Sequence, residues 1–336
     1  MTTAGPKPLL RDVAARAGVS PATVSRTLNG DSRVDPELQD RVRAAVEELG
    51  YRRNMLARNL RRQRLDAVGV IVSDVENPHF SEIVKVIEHE GFRAGYRALV
   101  CGTNESAGKQ SAYLAMLADE RVAGVIISPS DPNGPEITEL LNAGIPVVAI
   151  DREVADPRAD AVIADNVRGL VDATELLIRE GHERIAFIGG RRGVETSTER
   201  LAGYQQAMRR AGLRSRTIVG EYRIDGGEAA TRKLMESPEP PTAVVVANNL
   251  MTLGVLRAAR DLGVEIPRDL ALVAVDDPYW ATVVNPPLTT VSQPVTAMAK
   301  AAISLLLARL SGDESPPARS VHSMRLVVRE SSGSGS

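Results

Sequence analysis

Apolar side chains recur at helical spacing in residues 10–29, LRDVAARAGVSPATVSRTLN. Val13 and Ala17 mark one apolar face, and Val24 belongs to a second face further along the chain. Between them lies Gly18, and glycine at such a position favours a left-handed helix end. The pattern predicts two short helices packed around a tight turn.

The second of these helices is predicted to begin at Ser20-Pro21, because serine caps a helix and proline suits its first position. Its outward face carries short side chains and one cation, contributed by Ser20, Ala22, Thr23 and Arg26. A helix of this kind fits the major groove of DNA. Taken alone, the pattern is equally compatible with an ordinary helical hairpin at a protein surface.

A third helix is predicted to open at Asp35-Pro36 and to end at Gly50, which closes a small three-helix core. The next segment, residues 51–64 (YRRNMLARNLRRQR), has helix formers but no apolar face to dock on its own domain. A short helix like this is marginal in water. We expect it to order only against a polyanion or a symmetry mate, and a flexible basic linker is the alternative.

From Asp66 onwards, near-continuous Val/Ile runs alternate with helical segments. Such runs are typical of parallel strands that are covered on both faces. The predicted strands are AVGVIVSD, RALVCGT, AGVIISP, IPVVAID, AVIAD, RIAFIGG, residues 218–222, AVVVANN and LALVAVDD. Two such series in succession predict two α/β lobes.

The C-terminal part of the chain breaks this alternation. No helix precedes PPLTTVSQP, residues 286–294, so this segment is predicted to cross between the lobes. A last helix over 296–310 and one short strand, HSMRLVV at 322–328, are predicted to follow it. The final SSGSGS, residues 331–336, is predicted to be disordered.

The charge of the chain is unevenly distributed. The 336 residues have a net charge of -2. Residues 1–64 nevertheless contain thirteen Lys and Arg against seven Asp and Glu, and the remainder is correspondingly acidic. A basic module on an acidic body suggests nucleic acid at one end only.

Several broad classes of protein are disfavoured by composition. The single cysteine, Cys101, has no partner for an internal disulfide, which fits a reducing compartment. The first ten residues lack the apolar run of a signal peptide, and no segment reaches the ~20 apolar residues of a membrane helix. We therefore expect a cytoplasmic protein.

No constellation of catalytic or metal-binding residues stands out. The four histidines are scattered and none has a Cys or carboxylate at metal-ligand spacing. There is no G-x-S-x-G elbow and no Walker loop, and IGGRRG at 188–193 lacks the order of a dinucleotide loop. We expect neither an enzyme nor a cofactor.

Polar side chains do gather where the predicted strands end: Asp74, Asn77, Asp151, Arg152, Asn248 and Asp276. Open α/β sheets bind ligands at this edge. Carboxylates, an amide and an arginine suit a polyhydroxylated ligand better than a reaction, although each of these residues is also a plausible strand-end cap.

The order of motifs resembles that of the LacI/GalR family of transcription regulators over essentially the whole chain. DVAARAGVSPATVSRTLNG resembles the recognition module of the family and YRRNMLARNL its hinge helix. VENPHF, IPVVAIDR, TSTERLAGY, VVVANNLMTLG, LALVAVDDPYW and NPPLTTVSQP follow in the family's order. The resemblance implies an all-α helix-turn-helix headpiece and an α/β two-lobed domain like periplasmic sugar-binding proteins.

This resemblance also implies the residues that contact DNA. Those at the positions of the reading helix that meet bases and phosphates are Ser20, Pro21, Ala22, Thr23 and Arg26. Asn29 falls where a backbone contact is usual, and Leu60 matches the leucine that the family wedges into the minor groove. Arg53 replaces the proline that usually precedes the hinge helix.

The pocket implied by the resemblance is similar to that of ribose repressors and ribose-binding proteins. Its residues here are Asn77, His79, Phe80, Asp151, Arg152, Arg200, Tyr222, Asn248, Asp276 and Gln293. His79 replaces an aromatic residue, and Asn249 replaces the aspartate of the usual Asn-Asp pair, so only Asn248 is carried over. A pentose such as ribose is the implied effector, with a nucleoside or a hexose as the alternative.

These inferences combine into one organisation. Residues 1–52 are predicted to bind DNA, 53–65 to form a hinge, and 66–330 to form the effector-binding and dimerisation domain. Lobe 1 is expected over 66–163 and 293–328, and lobe 2 over 164–292. We expect an allosteric repressor that binds a palindromic double-stranded operator as a homodimer, because no leucine heptad follows Val328. A sugar receptor or a sugar-active enzyme on the same lobes is the rival class.

Overall fold

The computed structural model describes residues 8–28, 33–51 and 65–333. The predicted DNA contacts at Asn29 and Leu60, and the hinge over 53–64, lie outside these ranges. The chain divides after Gln63 into two compact units.

The first unit contains three helices in its described part: α1 (Leu10–Ala17), α2 (Pro21–Leu28) and α3 (Pro36–Glu48). Val13, Ala17, Val24 and Val42 are buried together in its core, as the apolar spacing predicts. Gly18 ends α1 with φ of 64°, a left-handed conformation that costs glycine little. The predicted helix–turn–helix is therefore present.

The second unit begins with five parallel strands joined by helices. The elements are β1 (Ala67–Val72), α4 (Pro78–Arg93), β2 (Arg97–Gly102), α5 (Ala107–Asp119), β3 (Gly124–Ile127), α6 (Pro135–Asn142), β4 (Val147–Ile150) and β5 (Asp160–Ala164). Every residue of β1, β3, β4 and β5 is buried. These strands and their helices form lobe 1.

A second series repeats this arrangement and forms lobe 2. Its elements are α7 (Asn166–Arg179), β6 (Ile185–Gly189), α8 (Glu195–Arg210), β7 (Arg216–Val219), α9 (Ile224–Met235), β8 (Ala243–Val246), α10 (Asn249–Leu262), β9 (Ala271–Val275), a 3-10 turn (Tyr279–Thr282) and β10 (Thr289–Ser292). The helices α9 and α10 approach so closely that a Cβ added at Gly254 would overlap the backbone of Ile224. Glycine at this position is therefore a packing requirement.

The chain then returns to lobe 1 through α11 (Val295–Leu310) and β11 (Arg319–His322), and ends in lobe 2 with β12 (Arg325–Val327) and a 3-10 turn (Glu330–Ser332). The two six-stranded sheets have the orders β11-β5-β4-β3-β1-β2 and β12-β10-β9-β8-β6-β7. Within residues 65–333 the chain thus passes between the lobes three times.

Two predictions for the C-terminal residues were wrong. The tail over 331–336 was predicted to be disordered, but Ser331 and Ser332 are buried, and Ser331 Oγ donates to the Leu272 carbonyl at 2.7 Å. The other wrong prediction concerns a strand. HSMRLVV was expected to form a single strand, and 293–328 was assigned to lobe 1 as a whole. His322 instead pairs with β5 in one sheet, while residues 325–327 pair antiparallel with β10 in the other. The alternating sequence carries no glycine or proline at Ser323-Met324, so its pattern gives no sign of the break. Met324 packs against the cores of both lobes where the chain crosses.

Two kinds of feature, a membrane-spanning helix and a metal-binding cluster, are absent from the described residues. No helix there is long and apolar enough to cross a membrane. No group of three or more His, Cys, Asp or Glu within the described ranges is arranged to hold a metal ion.

Candidate functional site

The predicted reading helix α2 presents its outward face to solvent. Ser20, Pro21, Ala22 and Arg26 are exposed and Thr23 is half-buried. The Thr23 backbone N–H donates to Ser20 Oγ at 3.1 Å, so Ser20 caps the helix as its sequence predicts. A rigid, capped helix with short outward side chains is suited to entering a major groove.

In the second unit, a cavity of about 400 Å³ lies between the carboxyl ends of the two sheets. All ten residues predicted for the pocket line it: Asn77, His79, Phe80, Asp151, Arg152, Arg200, Tyr222, Asn248, Asp276 and Gln293. They come from strand ends and helix starts of both lobes. The fold therefore brings together residues that are up to 216 positions apart, Asn77 and Gln293.

His79 lies at the centre of this cavity, between two carboxylates. Its Nε2 is 3.6 Å from Asp151 Oδ1 and its Nδ1 is 3.8 Å from Asp276 Oδ1. Burial acts to lower the pKa of His79, but the nearby carboxylates of Asp151 and Asp276 outweigh it, so the pKa is raised. Burial also acts to raise the pKa of Asp151, yet His79 and the arginines lower that pKa to about 2.

A chain of buried amides connects the lobes beside His79. Gln293 Nε2 donates to Asp276 Oδ1 at 2.7 Å, and Asn249 Nδ2 donates to Asn77 Oδ1 at 2.9 Å. Asn77 belongs to lobe 1 and Asn249 to lobe 2. The two lobes are thus joined by direct side-chain hydrogen bonds within the cavity wall.

Both buried arginines are held by partners of their own. Arg200 donates from Nε to Asn166 Oδ1 at 2.7 Å and from Nη1 to the Ala247 carbonyl at 2.8 Å. Arg152 forms a two-pronged pair with Glu105, at 2.8 and 2.6 Å. Glu105 thereby offsets the charge of Arg152, whereas Arg200 keeps its own charge beside Asp151 and Asp276.

Aromatic side chains cover two parts of the wall. The Phe80 ring packs edge-on against His79, with 4.9 Å between centroids. Tyr222 lies over Gly190, where an added Cβ would overlap its ring, and its hydroxyl is 3.3 Å from Thr196 Oγ1. The glycine is needed because the tyrosine ring approaches the backbone so closely.

Backbone strain is concentrated around the cavity. Seven non-glycine residues among those described have positive φ, and six of them line this cavity: Asn104, Glu105, Asp151, Glu221, Tyr222 and Asp276. Such conformations cost of order 1–3 kcal/mol each and cluster at functional sites. The two central carboxylates are therefore held in place by strained backbone directly after β4 and β9.

The alternative interpretation as strand-end caps is correct for three residues. The side chains of Asp74, Asn77 and Asn248 accept hydrogen bonds from the backbone N–H groups of Glu76, His79 and Met251. The geometry at these three positions serves the fold directly. Asp151 is not explained in this way, and Asp276 only in part, since it accepts from the Asn249 backbone N–H at 3.4 Å but from the Gln293 side chain at 2.7 Å.

Sequence reasoning missed Glu105 and Asn249. Glu105 lies in a loop after β2 and belongs to no recognisable motif, so only the fold reveals its pairing with Arg152. Asn249 was set aside because it departs from the usual pair, yet its side chain joins the lobes. Arg191, which donates to the Glu105 carbonyl at 3.2 Å, is a further contact between lobes that the sequence does not signal.

Four buried polar atoms at the site have no hydrogen-bond partner: His79 Nε2, Arg152 Nε, Asn249 Oδ1 and Gln293 Oε1. Unpartnered buried groups are costly and call for a ligand or water. Three of the four residues line the cavity itself. A small molecule with several hydroxyls can both donate to and accept from such a set.

Comparisons with known proteins agree with this architecture. The family model of bacterial regulatory proteins of the lacI family matches residues 9–54. The model of the periplasmic binding protein-like domain matches residues 174–332.

Three relatives are similar over nearly their whole length. The HTH-type transcriptional regulator CelR of Thermobifida fusca is 35% identical, covering 97% of this chain and 98% of its own. The transcriptional repressor PurR of Vibrio atlanticus is 34% identical, with 90% and 91% covered. The ribose operon repressor of Escherichia coli K12 is 33% identical, with 90% and 93% covered.

Two solved structures extend the comparison. A CelR–cellobiose complex is 34% identical and covers 96% of this chain and 99% of its own, with a TM-score of 0.72. The lac repressor dimer bound to operator and the anti-inducer ONPF has a TM-score of 0.86 at 26% identity, covering 97% and 99%. The chain belongs to the lacI family of bacterial transcription regulators.

Proposed function

We propose that this regulator is a repressor that binds a palindromic operator as a homodimer and responds to a small neutral sugar, a pentose such as ribose. Residues 1–52 would contact DNA, the hinge would lie at 53–65, and the two lobes would bind the effector and the second subunit. The observation that carries the choice of effector is the pairing of Asp151 and Asp276, one from each lobe, beside Arg200 and His79.

Charge balance in the cavity supports a neutral ligand. Arg152 pairs with Glu105 at 2.6 Å and lies 3.5 Å from Asp151, whose carboxylate also feels the charge of Arg200, and His79 lies between Asp151 and Asp276 with a raised pKa. A ligand with its own charge would upset this balance in a poorly hydrated site, where charge is expensive. Hydroxyl groups, in contrast, donate to carboxylates and accept from guanidinium groups without adding charge.

The names of the relatives narrow the class of effector without fixing it. One relative is a ribose operon repressor, a second was solved with cellobiose, and a third is the repressor PurR. The aromatic rings of Phe80 and Tyr222 suit the apolar face of a sugar ring. We favour the pentose because the other nine predicted wall residues resemble the pocket of ribose repressors in sequence, whereas His79 departs from it.

Binding of DNA is supported by the exposed face of α2. The sequence-reading residues would be Arg26 and the short side chains at Ser20, Pro21, Ala22 and Thr23, with Asn29 and Leu60 contacting the backbone and the minor groove. A homodimer would present two such helices to two half-sites, as palindromic operators require. The lac repressor relative was itself solved as a dimer on its operator.

One experiment tests both halves of the proposal. The full-length protein is titrated with D-ribose, D-galactose, cellobiose, adenosine and hypoxanthine by calorimetry. Fluorescence anisotropy then measures its binding to DNA from upstream of its own gene, with and without each compound. We expect D-ribose to bind and to change operator affinity. Tight binding of hypoxanthine alone, or no sugar binding at all, would refute the effector assignment.

A further inference from the structure

His79 connects the two lobes through a single side chain. It lies in the first turn of α4 in lobe 1, directly after Pro78. One ring nitrogen, Nε2, faces Asp151 of the same lobe, and the other, Nδ1, faces Asp276 of lobe 2 and lies 3.5 Å from Gln293 Nε2. Each nitrogen therefore has a carboxylate from a different lobe as its neighbour.

The contact between His79 and Asp151 is not a formed hydrogen bond. The distance of 3.6 Å from Nε2 to Oδ1 is too long for a good hydrogen bond, and Nε2 is a buried atom without a partner. The edge contact with Phe80 restrains the imidazole ring. A hydroxyl placed beside both atoms would accept from Nε2–H and donate its own hydrogen to Oδ1.

Building on the proposed function, we propose that His79 determines which effector is bound. Protonated His79 and Asp151 form a donor–acceptor pair for one hydroxyl of the sugar, while the second N–H of the imidazolium faces Asp276 and holds lobe 2. A phenyl ring at this position would offer only an apolar surface. A sugar that lacks the bridging hydroxyl would leave both buried groups unpaired and would be rejected.

This arrangement makes binding depend on pH. Three charged groups act directly on the ring: Asp151 after β4, Asp276 after β9, and Arg200 on α8. The other charged side chains of the cavity wall are Asp74, Glu76, Glu105, Arg152, Arg191, Glu221 and Arg223.

The direction of this pH dependence follows from the protonation of the His79 ring. Burial opposes the charge and the two carboxylates favour it more, so the pKa of His79 is raised above the ordinary 6.5. A neutral ring carries one N–H and leaves one carboxylate facing a lone pair. Sugar affinity should therefore be complete below the raised pKa and fall as the pH rises through it.

The test measures the affinity for D-ribose by calorimetry between pH 6 and pH 9 on full-length parent, His79→Gln, His79→Phe and His89→Gln. His89 is an exposed histidine on the same helix, so its substitution is the matched control. The parent and the control should lose about tenfold in affinity across this range. His79→Gln keeps a donor without a charge and should bind with a flat pH profile.

His79→Phe removes both donor and charge and should bind at least about tenfold more weakly than the parent at pH 6. Thermal unfolding checks that each variant is folded. If His79→Phe does not fold, the test rests on the comparison of His79→Gln with the parent. A His79→Gln variant with the parent's pH slope would overturn the inference.

A measurement without sugar separates this inference from the proposed function. The imidazole resonances of His79, assigned by their loss in His79→Gln, should titrate above the ordinary histidine value of 6.5. A midpoint at or below that value would refute the charge pairing. If the parent binds no sugar in the panel, the proposed function fails and the sugar pairing fails with it. If the parent binds D-ribose and His79→Gln matches it at every pH, only the inference fails.

Discussion

Replacing Arg200 with alanine should remove the response to sugar and leave operator binding intact. Arg200 is 4% exposed and lines the cavity. Two of its nitrogens donate to Asn166 Oδ1 and to the Ala247 carbonyl. No hydrogen bond within the described residues uses Nη2, which is therefore the nitrogen we assign to the effector.

The Arg200→Ala substitution is expected to change two free energies, that of sugar binding and that of unfolding. Loss of one charge-assisted hydrogen bond to the sugar costs about 1.5–3 kcal/mol. That corresponds to a loss of about 10- to 150-fold in affinity. In the free protein, Asn166 Oδ1 and the Ala247 carbonyl lose their buried donor, at about 1–3 kcal/mol each. The free energy of unfolding should therefore fall by about 2–6 kcal/mol as well.

The assay compares parent, Arg200→Ala and Arg210→Ala by calorimetry with D-ribose and by anisotropy with operator DNA. Arg210 lies on the same helix, and its side chain is 58% exposed, so it controls for loss of a cation on α8. We expect Arg210→Ala to match the parent in both assays. Arg200→Ala with sugar affinity within about twofold of the parent would refute the role assigned to this guanidinium.

Three further outcomes are expected. Gly254→Ala should destabilise the protein by about 1–3 kcal/mol in chemical unfolding, because the added Cβ overlaps the neighbouring helix. Gly108→Ala is the control: its Cβ would have its nearest contact at 3.9 Å, so this variant should be neutral or slightly stabilising. Asp160→Ala should cost about 3–5 kcal/mol, since it leaves Arg309 without its buried carboxylate, and an unchanged melting temperature would contradict this. Arg26→Ala should weaken operator binding by about 1–3 kcal/mol if it contacts a base, as measured against a scrambled duplex.

The sequence predicts most of the fold because its signals are local. Val/Ile runs mark the strands of both lobes, and Gly18 with Ser20 marks the turn between α1 and α2. The break at Ser323-Met324 has no such local signal, because it arises from pairing with distant strands: β11 pairs with β5 and β12 pairs with β10. Pattern alone does not reveal which partner a short strand will find.

The residues of the candidate site likewise fall into those that local sequence signals predict and those that only the fold reveals. Asp151 and Asp276 follow buried strands, so their convergence is expected from the parallel topology. The pairing of Arg152 with Glu105 is not, because a loop after β2 places the glutamate there through a left-handed backbone. The position of His79 between carboxylates of both lobes likewise depends on how the lobes face each other, a relation that single motifs do not encode.

The three passages of the chain between the lobes have a consequence for synthesis on the ribosome. Lobe 1 is not a continuous segment, because its helix α11 and edge strand β11 come after lobe 2 has been translated as far as β10. Met298, Ala302 and Leu306 of that helix are fully buried in the lobe 1 core. A nascent chain that has emerged only as far as residue 292 therefore has an exposed apolar sheet face. Lobe 1 is translated first but stays incomplete until nearly all of lobe 2 has been made, and a chaperone that shields this face would act during that interval.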